Sequence, residues 1–366
     1  MPFHDGRSLR QRLAVFDLPL AIVILMLLSV GMVTLYSAGI AIPGRWTDQL
    51  RNIVMAFLVM WAVANVPPQT MMRLAVPGYT VAVLLLVGVA LFGSVKGGSR
   101  RWLNVGVQIQ PSEFMKIAMP LMLAWFFQRQ QGQLRWHSYV IAALLLAVPV
   151  GLIARQPDLG TALLVVAAGA CVIFLGGLSW RAIAAIGGLA CAALPLLWIV
   201  MHDYQRDRVL TLIDPYHDPL GKGFHIIQSM IAIGSGGLAG KGWTNGTQAH
   251  LEFIPERTTD FIFAVFSEEF GLAGNLVLVL LYLLLIWRGL TIATNASTLF
   301  TRLLAGAITM IYFTYAFVNM GMVSGIVPVV GVPLPFMSYG GTALLTLGLG
   351  AGILMSIQHH GRGGRG

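Results

Sequence analysis

HLEFIPERTTDFIFAVFSEE, residues 250–269, decides the fold, because a polar loop passes here into a long apolar helix. Apolar residues continue from here to about residue 287. A run of roughly 18 or more apolar residues predicts a membrane-spanning helix, since backbone polar groups in lipid need partners within their own segment. The segment PERTTD, residues 255–260, therefore places the carboxylate of Asp260 at the edge of the hydrocarbon region.

The composition extends this interpretation to the whole chain. Of its 366 residues 57% are hydrophobic and 10% are charged, and the mean hydropathy is +0.79, which excludes a soluble domain. We predict an all-α polytopic integral membrane protein in one domain, residues 1–366, with one long extracytoplasmic loop at about 202–260. Ten spans are expected, at about 17–38, 50–66, 74–93, 112–128, 138–154, 159–177, 182–201, 261–287, 303–322 and 340–357.

The charges predict the orientation. An even number of spans places both termini on one side, and the short loops favour cytoplasmic termini because they carry more Lys and Arg on that side. Most acidic residues fall on the outer side, so we expect the chemistry there. Arg7, Arg10 and Arg12 precede an apolar run that is too long for the roughly 7–15 residues of a signal-peptide core, which indicates an uncleaved first span.

Several functional classes lack support in the sequence. The pI is near 9.9, but the basic residues are dispersed rather than gathered in a patch that would bind nucleic acid. Cys171 and Cys191 lie in apolar segments and are predicted to be inert thiols. The histidines of the long loop show no metal-ligand spacing. P-loop, dinucleotide-binding, HExxH and GxSxG motifs are absent from the sequence.

The second outer loop, SVKGGSRRWLNVGVQIQ at residues 94–110, places Arg101 in a cluster of basic residues. It leads into Glu113 and Lys116, which are i,i+3 neighbours on one helix face. Lys116 falls below the membrane interface, where ionisable groups are costly and usually face the bundle interior or a wet cavity. Two interpretations stay open: a structural ion pair, or a cavity that receives a polyanionic head group.

Other polar positions also allow two interpretations each. Asp158 is either the N-cap of the next helix or part of the site. The Gly-rich stretch 234–242 could approach a phosphate through backbone N–H groups, although the pattern is weak. Glu268 and Glu269 either line the same cavity or bond to loop backbone. The prolines and glycines of residues 319–343 break the helix there, as a linker or as the lining of a cavity.

Five motif blocks together resemble the SEDS family (shape, elongation, division and sporulation proteins). Within that family the long loop is more similar to the RodA branch than to the FtsW branch. One departure is Thr258, where many relatives have His. The blocks are RW at 101–102 with QPSE at 110–113 and Lys116, QPDLGT at 156–161, GG at 236–237 with Gly240 and Gly242, PE at 255–256 with TDFIFA at 259–264, and Asn319 with Pro328, Gly331 and SYGGTA at 338–343.

The resemblance implies a peptidoglycan glycosyltransferase that polymerises lipid II for cell elongation and rod shape. It implies inverting transfer, with undecaprenyl diphosphate as the leaving group and Asp260 as the general base or a metal-binding partner. A divalent cation, Mg²⁺ or Mn²⁺, stays open as a cofactor. The residues expected to bind or orient the substrate are Arg101, Glu113, Lys116, Asp158, Arg208 and Ser338.

The resemblance also implies partners and rival functions. The expected partners are lipid II with the growing glycan, a class B penicillin-binding protein, and elongation-complex proteins such as MreC and MreD. The chain carries no transpeptidase motif of its own. The alternatives are a lipid II flippase, which would move the head group without joining it, and a structural activator of the penicillin-binding protein. The expected location is the inner membrane, with the active site on the periplasmic face.

Overall fold

The computed structural model describes residues 15–96, 99–104, 108–201, 203–219, 221, 223–251, 253–254 and 256–362. The basic residues Arg7, Arg10 and Arg12 and the loop residue His202 lie outside the described residues. The α-helices that could serve as spans are α1 (Leu18–Ala38), α2 (Arg45–Ala64), α3 (Pro68–Phe92), α4 (Pro111–Arg129), α5 (Trp136–Ala154), α6 (Leu159–Leu175), α7 (Trp180–Val200), α11 (Ile262–Thr294), α12 (Leu299–Val323) and α13 (Gly341–Arg362).

Each of the ten predicted segments overlaps one of these helices. Within the described part of the chain, six of them are long and apolar enough to cross a membrane by length and composition. These six are α1, α3, α5, α11, α12 and α13. The chain is therefore a mostly helical, multi-pass membrane protein.

The long loop between α7 and α11 is partly helical. It contains α8 (Asp203–Ile213), a 3₁₀ turn (Pro215–His217), α9 (Phe224–Ser235) and the short α10 (Thr247–His250). Of these, α9 is the longest helix, with 12 residues. Helix α9 packs on α11 and α12, whereas α8 packs against the 3₁₀ turn within the loop.

A small sheet corrects the all-α prediction. Strands β1 (Ser94–Lys96), β2 (Ser99–Asn104) and β3 (Gln108–Ile109) form an antiparallel meander between α3 and α4. The register pairs Lys96 with Ser99 and Asn104 with Gln108, so strands that follow each other in the chain are neighbours in the sheet. Hydropathy alone missed the sheet because the strands are short and polar.

Helix α12 lies at the centre of the bundle and contacts α4, α6, α11 and α13. Its Tyr312 and Tyr315 are among the largest fully buried side chains described. Helix α11 is broken at Gly271, where φ is +63° and the loop backbone packs so closely that a Cβ would lie 2.4 Å from the nitrogen of Gly240. The outer part of α11 is thus fixed between α12 and the long loop.

Candidate active site

Asp260 ends a turn that leads directly into α11. The backbone N–H groups of Thr259 and Phe261 both donate to the carbonyl oxygen of Glu256, at 3.1 Å each. The partly exposed carboxylate of Asp260 faces Gly331, where an added Cβ would lie 3.3 Å from Oδ2. Gly331 has φ +70°, a backbone conformation that favours glycine. Both this conformation and the close approach of the carboxylate therefore suit a residue without a side chain.

The charge state of Asp260 is set by its surroundings. Burial and, to a smaller extent, the nearby Glu256 carboxylate raise the pKa of its carboxyl, Arg101 lowers it, and the net pKa is about 6. A carboxylate with a pKa near 6 is largely ionised at neutral pH and still basic enough to accept a proton from a substrate hydroxyl. The group therefore has the acid–base properties that a general base needs.

The last outer loop is bonded to the backbone around Asp260. Ser338 Oγ donates to the carbonyl of Thr259 at 2.6 Å and accepts from Leu334 N at 2.8 Å. The N–H of Tyr339 donates to the carbonyl of Thr258 at 2.9 Å. Ser338 is buried, so in this structure its hydroxyl fixes two segments to each other beside Asp260.

Asn319, near the end of α12, adds a further connection. Its Nδ2 donates to the carbonyl oxygens of Asp260 at 2.8 Å and Val332 at 2.6 Å. The sequence resemblance included Asn319 in a motif but assigned it no role. Its signal in the sequence is an isolated amide near the end of an apolar helix, where a buried polar group needs partners.

The first outer loop also contributes to the site, although nothing in its sequence predicts this. Gln49 Nε2 donates to the carbonyl of Ser338 at 3.1 Å, and Gln49 Oε1 accepts from Gly340 N at 3.3 Å. The guanidinium of Arg45 lies 4.2 Å from the centre of the Tyr339 ring. The polar start of α2 therefore braces the segment that carries Ser338.

Arg101 supplies a positive charge to the site, and Asp158 pairs with it. Arg101 extends from β2 and donates from Nη2 to the carbonyl of Pro157 at 2.6 Å, while its Nη1 lies 3.8 Å from Asp158 Oδ1. Asp158 also accepts from Thr161 N at 3.3 Å as the N-cap of α6, and from Gln110 Nε2 at 3.3 Å. The capping interpretation of Asp158 is confirmed, and the same carboxylate orients Arg101.

Lys116 and Glu113 form a buried pair on α4. Lys116 Nζ lies 2.5 Å from Glu113 Oε1 and also donates to the hydroxyl of Tyr315 on α12. The Lys116 side chain is 2% exposed, so in this geometry Lys116 and Glu113 form a structural ion pair. Within the described residues, Glu113 Oε2 and Arg101 Nε are buried without a hydrogen-bond partner.

Arg208 stays a prediction. It lies half-buried on α8, which packs against the 3₁₀ turn Pro215–His217 within the long loop. The contacts that define the Asp260 site come from α2, β2, α4, α12 and the last outer loop.

Glu268 and Glu269 bond to the loop. Oε1 of Glu268 accepts from Lys241 Nζ at 2.6 Å and from Thr247 N at 2.9 Å. The N–H groups of Lys241 and Gly242 donate to the carbonyls of Glu268 and Glu269, at 3.0 Å each. The predicted approach of these two backbone amides to a phosphate is therefore wrong, because the start of α11 already occupies them.

Comparisons with known proteins show the family to which the chain belongs. A family model described as a cell cycle protein, FTSW_RODA_SPOVE, matches residues 11–363. The chain is 51% identical over 346 residues to peptidoglycan glycosyltransferase MrdB of Escherichia coli K12, which covers 94% of each chain.

Two solved structures have the same fold. A chain from a peptidoglycan synthase complex superposes with a TM-score of 0.82 at 33% identity, covering 94% of this chain and 98% of that one. The rod shape-determining protein RodA of Thermus thermophilus superposes with a TM-score of 0.72 at 29% identity, covering 94% and 97%. The matched residues include those that surround Asp260, and the chain belongs to the FTSW_RODA_SPOVE family of cell cycle proteins.

Proposed function

We propose that this protein is a peptidoglycan glycosyltransferase that polymerises lipid II, with Asp260 as the general base. The observation that carries the proposal is the Asp260 carboxylate, held at the head of α11 within the electrostatic reach of Arg101. The 51% identity to a protein named peptidoglycan glycosyltransferase supports the reaction class.

The reaction joins two lipid-linked sugars. The 4-hydroxyl oxygen of the acceptor attacks the anomeric carbon of the donor, and Asp260 takes the hydroxyl proton as the new carbon–oxygen bond forms. The bond from the anomeric carbon to the diphosphate oxygen breaks with its electron pair, which leaves undecaprenyl diphosphate. Arg101 stabilises the charge that develops on this group. Attack opposite the leaving group turns an α-linked donor into a β-linked glycan.

The remaining candidate residues have supporting parts in this proposal. Asp158 orients Arg101, and Glu113 holds Lys116 in the same electrostatic cluster. Ser338 holds the backbone of Thr259 rather than the sugar in the present geometry. Arg208 would contact the head group from the long loop.

A divalent cation stays a candidate cofactor that Asp260 would hold together with the substrate diphosphate, since Mg²⁺ is usually bound by one or two carboxylates and substrate phosphates. Among the described residues, no three His, Cys, Asp or Glu side chains are grouped closely enough to hold a metal ion. Close to Asp260 lies Glu256, whose charge raises the Asp260 pKa. The steps above are written with the protein's own groups, and a chelator titration of the polymerisation rate tests whether a diphosphate-bound ion adds to them.

We propose that the substrate reaches the site from the outer side of the membrane. We assign all ten helices as spans of one domain, with cytoplasmic termini and the loop 202–260 on the periplasmic side between spans seven and eight. This places Asp260 at the outer surface of the inner membrane, where lipid II is presented. A class B penicillin-binding protein is the proposed partner for cross-linking, supported by the structural match to a peptidoglycan synthase complex. MreC and MreD are proposed further partners.

Asp260→Asn, measured with labelled lipid II on purified protein in the presence of its partner, tests the function. We expect glycan synthesis to fall by about 10²–10⁴-fold, as on loss of a general base. Asp48→Asn is the matched control, because Asp48 pairs with Arg51 in a largely exposed ion pair at 3.2 Å. A near-normal rate for Asp260→Asn would contradict the assignment. Head-group transfer across a vesicle bilayer without glycan product would instead favour a flippase.

A further inference from the structure

Asn319 is one of the few fully buried amides described, with 0% of its surface exposed. Both hydrogen bonds from its Nδ2 go to main-chain carbonyls, those of Asp260 and Val332. The opposite amide orientation would place Oδ1 against two carbonyl oxygens, so the two acceptors fix which atom is the nitrogen. The amide therefore has a single orientation, with its donor side towards the site.

The two carbonyls belong to segments far apart in the chain. One segment carries Asp260 and leads into α11, and the other is the non-helical stretch that contains Gly331 and Val332. These segments meet where the Asp260 carboxylate faces the Cα of Gly331. Asn319 donates to the carbonyl of Asp260 and to the carbonyl of Val332, which directly follows Gly331. It thus holds the main chain on both sides of the contact that orients the carboxylate.

Helix α12 also reaches the cationic side of the site. Tyr315 lies one turn before Asn319 and therefore on the same face of α12. Its hydroxyl accepts a hydrogen bond from Lys116, which pairs with Glu113. One rigid helix face thus bonds to the segment of the base at one position and to the buried cation at the other.

We propose that Asn319 is a positioning residue for Asp260, setting the direction of its carboxylate relative to the bound sugars. This inference rests on the proposed function, because it assigns a role within the same reaction. The links from Ser338 and Tyr339 hold residues 258 and 259, whereas Asn319 holds Asp260 itself. Removing the amide leaves those two links in place and frees the carbonyl of Asp260.

A positioning role predicts a specific kinetic signature. Misplacing a reacting group by about 1 Å can cost on the order of 10²-fold in rate, so we expect Asn319→Ala to lower kcat by about 10–100-fold. The KM for lipid II should stay within about threefold, because Asn319 makes no described contact with Arg101 or Lys116.

The pH profile separates positioning from a general loss of structure. The charged groups that act on Asp260 are Glu256 in its own turn and Arg101 from β2, and burial is the largest influence on its pKa. A loosened segment admits water to the carboxylate, which lowers its pKa. We therefore expect the acid limb of kcat to move to lower pH in Asn319→Ala. Lower stability alone would leave that limb unchanged.

The experiment compares Asn319→Ala, the isosteric Asn319→Asp, and Thr314→Val in the full protein with its partner. Thr314 is a matched control on the same helix, with its hydroxyl donating to the carbonyl of Met310. Thermal unfolding, kcat, KM and the pH profile are measured for each variant. Asn319→Asp keeps the shape of the amide, and it regains a donor only when protonated. Its rate as a fraction of the wild-type rate should therefore rise as the pH falls.

Each outcome decides a different claim. A wild-type kcat in Asn319→Ala, or a reduced kcat with an unmoved acid limb, overturns the positioning role and leaves the proposed function intact. If Asn319→Ala does not fold, a pH-independent relative rate for Asn319→Asp overturns it in the same way. A near-normal rate for Asp260→Asn overturns Asp260 as the general base, and the role of Asn319 with it.

Discussion

Two carboxylates at the start of α11 have opposite surroundings. Glu268 is fully buried, and its oxygens accept hydrogen bonds from Lys241, Thr247 and Gln248. Asp260 is partly exposed, and in the part of the chain that the structure describes no donor bonds to its carboxylate. Its neighbours instead hold its main chain.

This difference shows which carboxylate suits chemistry. An acceptor that is already satisfied by several donors favours its ionised form and has little capacity left for a substrate proton. A carboxylate that accepts no hydrogen bonds, and whose pKa is raised by burial, can accept a proton from the substrate. The positions of Asp260 and Glu268 in the sequence do not show which of them is suited to catalysis, but their hydrogen bonds do. The same conservative change, acid to amide, should therefore have opposite effects at the two sites.

The largest expected stability effect is a loss at Glu268. Glu268→Gln removes the charge that pairs with Lys241 at 2.6 Å. Breaking a buried pair typically costs about 3–5 kcal/mol, and the 29% exposure of the Lys241 side chain reduces this to about 2–3 kcal/mol. We expect a lower unfolding temperature in detergent and faster hydrogen exchange in residues 240–250. Unchanged exchange in that segment would show that Glu268 does not hold the loop.

A gain in stability is expected from Asp260→Asn. The pKa of Asp260 is about 6 in the folded protein and near 3.9 in an unfolded chain, so ionisation favours unfolding above pH 6. Asparagine removes this penalty, which partial exposure limits to about 1–2 kcal/mol. The inactive variant should thus unfold at a higher temperature than the wild type at pH 7.5, by a margin that shrinks at pH 4.5. A destabilised Asp260→Asn would show that the carboxylate is itself structural.

The sequence predicted the helices well and the contacts within the site less well. Long apolar runs determine helices in lipid, so each predicted span overlaps a helix. Asp260, Arg101 and Asp158 were found because charged residues beside apolar segments stand out. Gln49 could not be found in this way, because its importance depends on hydrogen bonds to residues 338 and 340, far away in the chain.

The sequence also left two interpretations open for Lys116 and for the glycine-rich stretch. Spacing places Lys116 on the face of Glu113, but only packing shows the bond to Tyr315 and the nearly complete burial. Glycines allow the backbone to pack closely against another group, and here that group is the backbone of α11 at Ser267 and Glu269. Side-chain partners across the bundle are tertiary information, which a local pattern does not carry.

The smallest expected effect is a pair of opposite shifts in the pH profile. The Glu256 charge raises the pKa of Asp260 and the Arg101 charge lowers it. Glu256→Gln should therefore move the acid limb of kcat, expected near pH 6, to lower pH, and Arg101→Gln should move it to higher pH. Each shift should be a fraction of a pH unit and should shrink at high salt, since both groups are partly solvated.

Arg101→Gln should also lower kcat across the whole pH range, because the leaving diphosphate loses a cation. Glu256→Gln should leave the plateau rate nearly unchanged, so the two variants separate the tuning of the base from the stabilisation of the leaving group. Arg51→Gln, at an exposed ion pair, is the control for a general change in charge. Shifts of the same sign in both variants would contradict Asp260 as the group that titrates, and would direct the search for the base to another carboxylate.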